Sequence, residues 1–352
     1  MVDKNYCMSA YVALRYIVDS DKEFYEETKH INTRLFDDSE RISVKTAVDI
    51  DKELKRIILS LKDKKLGILL SGGMDSAILA SYLPGGDAYT FRFMGGEYQK
   101  EELNRAEKYA EYYGLKLHYV DIEWSTVEKN LDNVMKVKGA PVHSIEPQLV
   151  QAALQAKEDG IEMLIIGNGS DYVFGGMDGL LSKDWSFEEF YKRYIYIDPE
   201  EVLKEPVDMR CCFEKYRRGN DIDFLGVMED IAIEESYSSY YNAFKVAEIE
   251  YIDPYAYLKM AEPLDLNRVR NGESKYLIRE LFSMKYPYVE IPDKLPMPRP
   301  VDSYFADWEG PKRPEFVKGL DMTKYTGNQK WLLYCLERFL DMYEPKKISI
   351  ID

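Results

Sequence analysis

The chain has 352 residues, 45% of them hydrophobic and 31% charged, which is room for one large domain or two smaller ones. Its formal net charge of −16 would repel a phosphate backbone, and short basic groups such as Lys215, Arg217 and Arg218 are ringed by acids, so nucleic acid is not an expected partner. No apolar run approaches the roughly 18 residues of a membrane span, and the first residues lack the pattern of a signal peptide. The cysteines Cys7, Cys211, Cys212 and Cys335 show no CxxC spacing, so a reduced, cytoplasmic protein without a membrane partner is expected.

Residues 1–50 form a mixed N-terminal segment, with an apolar piece from Tyr11 to Val18 and a charged stretch through Glu40. Leu54, Ile57, Ile58 and Leu61 share a face, which predicts a helix over 51–61. Leu66–Leu70 reads as a buried-type strand, followed by a glycine-containing loop and a helix over 75–83. Ala88–Phe93 is the next strand. Leu103, Ala106, Ala110 and Tyr113 then mark an amphipathic helix over 100–113, stopped by Gly114. Leu117–Val120 is a third strand, followed by helices over 127–137 and 146–158, and Met163–Gly167 is a fourth. Strands separated by helices imply an α/β domain with a parallel sheet over residues 51–185. Beyond it strand signals fade, and 229–250, 274–284 and 330–343 read as helices, so 186–352 is expected to be a mostly helical region completing the active site.

Two loops carry chemistry. Ser71-Gly72-Gly73-Met74-Asp75-Ser76 lies between a strand and a helix. Its glycines let backbone N–H groups approach an anion, and the helix start adds partial positive charge. Ser71 and Ser76 bring hydroxyl donors, and Asp75 a carboxylate suited to Mg²⁺. There is no lysine inside it, so it is not the GxxxxGK[ST] loop. A plain Gly-Gly turn is the simpler explanation, but the five fixed positions match by chance in only about one chain in a thousand. The second loop, Gly167-Asn168-Gly169-Ser170-Asp171-Tyr172-Val173-Phe174-Gly175-Gly176, also follows a strand, and Asp171 could reach the same Mg²⁺ as Asp75.

Ser-Gly-Gly-x-Asp-Ser after an apolar strand resembles the signature of the N-type ATP pyrophosphatases. The second loop narrows the likeness to the synthetase domain of asparagine synthetase and β-lactam synthetase, whose pattern there is G-E-G-[AS]-D-E-x-F-G-G. Gly272–Glu280 resembles that family's K-x-x-L-R helix through Lys275 and Arg279, and the stretch from Pro287 to Lys294 resembles the segment that follows it. The resemblance covers roughly residues 50–300. It implies a nucleotide-binding domain of the adenine nucleotide α-hydrolase type. It implies ATP and Mg²⁺ as cofactors, with Leu70, Ser71, Gly72, Gly73, Asp75, Ser76, Phe91, Gly167 and Asn168 binding the cofactor and Asp75 and Asp171 holding the metal. Lys294 would stabilise charge on the transferring phosphoryl group, with Lys275 and Arg279 beside it in catalysis.

The implied reaction adenylates a small-molecule carboxylate, releases pyrophosphate, and transfers ammonia or an amine. A tRNA-modifying or sulfur-transfer enzyme of the same superfamily is the alternative, against which the acidic balance counts. Two departures stand out. Asn168 replaces the family's Glu or Tyr and is no proton acceptor, which leaves His143, Glu146 and Asp178 as unranked candidates. The family's glutaminase domain is also expected to be absent, since about seventy residues precede the first loop and Val2 stands where a terminal cysteine nucleophile would. A separate glutaminase and a homodimer are the further possible partners. The 29 tyrosines are explained more cheaply by packing than by a ring-binding pocket.

Overall fold

Short apolar strands alternating with helices produce, in the computed structural model, one five-stranded parallel sheet. The structure describes residues 1–30, 33, 36–94, 99–293 and 299–344. In chain order the elements that build the sheet and its cover are α1 (Lys4–Leu14), β1 (Ile42–Val44), α2 (Ala47–Leu59), β2 (Leu66–Leu69), α3 (Met74–Ala80), β3 (Asp87–Phe93), α4 (Lys100–Tyr112), β4 (Lys116–Ile122), α5 (Trp124–Lys138), α6 (Glu146–Glu158) and β5 (Met163–Ile165). A small antiparallel pair follows, β6 (Arg217–Arg218) and β7 (Asp221–Ile222), then β8 (Glu250–Ile252) and β9 (Leu258–Met260). The sheet order is β4-β3-β2-β5-β8, and β1 pairs with β9 in a separate parallel ribbon.

The side-chain alternation of the central strands decides which layer covers which face. Met163 and Ile165 of β5 pack with α2, α3, α4 and the helix Tyr276–Lys285. Leu164 and the following Ile166 pack on the other face with α1, α5, α6 and the helix Gly327–Tyr343. Both faces are therefore covered, as parallel sheets require. No helix among the described residues is long and apolar enough to cross a membrane.

Strands β1, β6, β7, β8 and β9 and helix α1 go beyond the sequence reading, and two of these differences matter most. The sheet takes its fifth strand, β8, from beyond residue 185. The helix expected through Glu250 ends at Ala247, and Glu248 turns the chain in the left-handed conformation, with φ at 52°. Three residues of strand are too short to show a period. The second difference is α1, which no periodicity announced because it is buried from Tyr6 to Leu14. A helix apolar all round shows no stripe.

One buried ion pair fixes the approach to the sheet's carboxyl edge. Lys138 at the end of α5 meets Glu146 at the start of α6, Nζ to Oε1 at 2.8 Å, with Glu146 fully buried. The same oxygen accepts the His143 N–H at 2.9 Å and the Ser239 hydroxyl at 3.3 Å. It ties the loop before α6 to the helix Ile233–Ala247. Lys138→Met, which strands the carboxylate, is expected to cost about 3–5 kcal/mol in urea denaturation. Combining it with Glu146→Leu should recover much of that. A single variant as stable as the parent would show that the cation does not hold this loop.

Candidate active site

The chain order of the sheet creates a switch point. After β2 the chain moves outward to β3 and β4, then returns to β5 on the other side of β2. Ligands in open α/β sheets collect outside the carboxyl ends of strands at such a point. Here the ends of β2 and β5 deliver the two loops, and a cavity of about 420 Å³ opens between them. Its wall includes Leu70, Ser71, Gly72, Gly73, Asp75, Ser76, Phe91, Gly167, Asn168, Asp171, Lys275 and Arg279. Lys294 lies outside the described residues.

The first loop is held open by its own hydroxyls. Ser76 Oγ accepts the Ser71 N–H at 3.0 Å and lies 3.0 Å from Ser71 Oγ, and Ser71 Oγ accepts the Gly73 N–H at 3.2 Å. Gly73 stands at the N-cap of α3 and brings no side chain to it, so that turn carries no side-chain cap. Gly72 faces α4 so closely that a Cβ would meet the Glu102 carbonyl oxygen at 2.8 Å. The second loop lies against the first, since a Cβ on Gly167 would stand 3.3 Å from Ser76 N.

Lys275 joins the two loops. It precedes the helix Tyr276–Lys285 in the left-handed conformation, φ 52°, and its side chain is only 7% exposed. Its Nζ reaches Asp75 Oδ2 at 2.6 Å and Asp171 Oδ1 at 2.5 Å. Burial opposes its charge, but the two carboxylates prevail and raise its pKa. Gly176 permits this packing, because a Cβ there would collide with the Asp171 carboxylate and the Lys275 stem. The other oxygen of Asp75, Oδ1, is buried and has no hydrogen-bond partner among the described residues.

A helix that sequence reasoning gave no site role lines the opposite wall. A π-helical turn over Met228–Ala232 precedes the helix Ile233–Ala247, whose Glu235, Ser236, Ser239 and Tyr240 share the face toward the cavity. Ser236 donates to Asn168 Oδ1 at 3.0 Å, while the buried Asn168 Nδ2 has no partner among the described residues. Beneath the loop, Asp253 accepts from the Gly169 N–H at 2.6 Å and from Tyr237 at 2.8 Å. Burial nonetheless lifts its pKa to about 7.

Of the three base candidates, His143 lines this cavity, Asp178 lines the neighbouring one, and Glu146 is buried in its ion pair. Arg15, Glu102, Glu235 and Arg299 also line the cavity. No motif marked them, and Arg15 and Arg299 come from segments with no residue pattern tied to the loops.

Residues 58–297 match the family model for asparagine synthase. The chain belongs to the asparagine synthase family. Among curated relatives, a probable glutamine-hydrolysing asparagine synthetase of Acanthamoeba polyphaga mimivirus is 25% identical over 148 residues, which is 40% of this chain and 27% of that protein. The glutamine-hydrolysing asparagine synthetase of Asparagus officinalis is 29% identical over 143 residues, 36% of this chain and 23% of its own length. A putative asparagine synthetase of Methanocaldococcus jannaschii is 30% identical over 139 residues, 36% of this chain and 24% of that protein. The chain spans about a quarter of the length of these relatives. Both loops and Lys275 fall inside the stretch matched to asparagine synthase, and Arg15 and Arg299 fall outside it.

Glu102 offers a test of how the first loop is supported. Burial raises its carboxyl from 4.5 to about 7, against the opposing effect of the Gly72 N–H it accepts and of Arg105. The folded state therefore takes up a proton as pH falls through about 7, and the cost of burying the charge is fully present only above that pH. The displacement corresponds to at most about 3 kcal/mol. Glu102→Gln should raise the melting temperature at pH 8 and leave it near the parental value at pH 5. An equal effect at both pH values would mean that the carboxyl is not desolvated.

Proposed function

We propose that the chain is an ATP-dependent amide ligase that activates a carboxylate as its acyl-adenylate. The observation that carries this reading is the arrangement of two strand-end loops at a switch point, each offering one carboxylate, clasped by Lys275 within the segment matched to asparagine synthase. In the first step a substrate carboxylate oxygen attacks the α-phosphorus of ATP. The bond from that phosphorus to the bridging oxygen breaks, and pyrophosphate leaves with the electron pair. In the second, a nitrogen nucleophile attacks the acyl carbon, the bond to AMP breaks, and the nitrogen loses a proton.

The residues fit this division of labour. The glycines and hydroxyls of Ser71–Ser76 would cradle the departing pyrophosphate, and Lys275 would neutralise charge building on it. Mg²⁺ would be held by Asp75 and Asp171. The buried Asp75 Oδ1, without a partner among the described residues, and the nearness of a second carboxylate suit an ion that completes its shell with phosphates and water. When bound, that ion supplies positive charge across the phosphates. Lys294, aligned with the family's lysine, is assigned to the transferring phosphoryl group, and Arg279 to the nucleotide side of the cavity. Leu70 and Phe91 would border the nucleotide, and Asn168 Nδ2 would donate to a bound oxygen.

The nitrogen is proposed to arrive as ammonia or an amine. Cys7, Cys212 and Cys335 are buried, with their thiols pushed up by burial and, for Cys212, first by the hydrogen bond with Cys211. Exposed Cys211 is not part of the cavity wall. With ATP, Mg²⁺, ammonia and a panel of carboxylates, phosphorus NMR should show AMP and pyrophosphate rather than ADP and phosphate. Asp171→Asn and Lys275→Met should each lower turnover at least about a hundredfold, as losing a preorganised charged group commonly does, measured where circular dichroism shows the variant folded, since Lys275→Met also leaves two acids without their cation and lowers stability. Formation of ADP, or full activity in both variants, would sink the proposal.

A further inference from the structure

The Asp253 carboxylate stands behind the two loops and takes no part in the chemistry proposed above. It follows β8 directly, is only 4% exposed, and meets no cation among the described residues. Its hydrogen-bond partners are neutral donors. Oδ2 accepts the Gly169 N–H at 2.6 Å and the Tyr237 hydroxyl at 2.8 Å, and Oδ1 accepts the Tyr255 N–H at 3.1 Å. Burying an acid without a cation is costly. What only a carboxylate offers in return is acceptance on both oxygens with no donor. An amide of the same shape has one acceptor oxygen and an NH₂ group, which would oppose either Tyr255 or the pair Gly169 and Tyr237 donor to donor.

The three donors come from three parts of the site. Gly169 is in the second loop, two residues before Asp171. Tyr237 is on the helix Ile233–Ala247 that forms the opposite wall. Tyr255 sits in the 3-10 turn Pro254–Tyr257 that Asp253 caps, and its hydroxyl donates to the Asp75 carbonyl at 3.1 Å. The packing is close, since a Cβ on Gly169 would collide with the Tyr237 hydroxyl and stand 3.2 Å from Asp253 Oδ2. We propose that Asp253 is a positioning residue, which holds Asp171 through Gly169 and Asp75 through Tyr255 at the separation where both reach Lys275. One carboxylate at the end of β8 thereby sets the register between loops that leave two other strands, β2 and β5. That this register governs turnover rests on the ligase reading; the register itself does not.

The test is amide hydrogen exchange, followed by mass spectrometry, on the full chain and on Asp253→Asn and Tyr255→Phe. In Asp253→Asn the amides of 167–176 should exchange at least about tenfold faster, while those of β3 and β4 keep the parental protection. In Tyr255→Phe the amides of 71–77 should exchange at least about threefold faster, with 167–176 unchanged. Tyr255→Phe removes one hydroxyl, so it decides the matter where Asp253→Asn does not fold. In an assay of AMP release, Asp253→Asn should lower kcat at least about tenfold with the KM for ATP within about threefold, a split that a general loss of stability does not produce. Exchange that quickens evenly across the sheet, parental exchange in the loops, or loosened loops with parental kcat each overturn the proposal. Local loosening in a chain whose parent form releases no AMP leaves the positioning role standing and removes the ligase assignment.

Discussion

A single ammonium shared between two carboxylates organises this molecule. Asp75 begins a helix after β2, Asp171 lies in the loop after β5, and Lys275 arrives from a segment two hundred residues after Asp75. Lys275 is nearly withdrawn from water and the two acids are partly buried, and buried charge is tolerated only when paired. The pair of acids therefore demands the lysine, and the lysine demands a backbone in the left-handed region and a glycine, Gly176, to make space for its stem. Tyr255 reinforces the arrangement by donating to the Asp75 carbonyl at 3.1 Å, and Tyr286 does the same two residues on, to the Ala77 carbonyl at 2.8 Å. Tyr11 and Tyr113 likewise donate to backbone carbonyls, those of Val142 and Lys285, while Tyr16, Tyr82 and Tyr216 donate to carboxylates.

The cavity has two poles of opposite sign. Around Lys275 two acids outnumber one base, a balance suited to a divalent cation and its phosphates. Around His143 two guanidiniums outnumber one acid. Sequence alone gives a chain of −16, yet net charge says little about a cavity whose walls exclude water and strengthen local fields. The separation also suggests why the helix Ile233–Ala247 is tied down from both sides. Tyr237 is bonded to Asp253 beneath the second loop and Ser239 to Glu146 beside His143, so one rigid helix sets the distance between the poles.

The parallel sheet, the two loops and the family likeness were legible in the sequence because each rests on local information. Alternating strands and helices, glycine pairs at strand ends and a K-x-x-L-R helix are patterns within a dozen residues. They were enough to name most of the loop residues that line the cavity, Met74, Tyr172 and Gly176 apart, and to name Lys275 and Arg279, which also line it. What local pattern could not rank was partnership. The sequence reading gave the charge-stabilising role to Lys294, with Lys275 and Arg279 beside it, and only the fold showed Lys275 between the two acids. His143, Glu146 and Asp178 looked equivalent as bases, and only the fold placed one in the cavity, one in a buried ion pair and one in the next cavity.

The sequence by itself determined the local character of the two loops, since glycines and hydroxyls within a few residues of each other need nothing distant to supply them. Tertiary structure alone decided the rest of the site. The fifth strand is too short to leave a period, and α1 is too uniformly apolar to show a face. The Arg15–His143–Arg299 corner joins residues separated by 128 and 156 positions. Such a cluster has no sequence spacing to detect, because packing of α1 and of the chain beyond residue 297 brings its charges together.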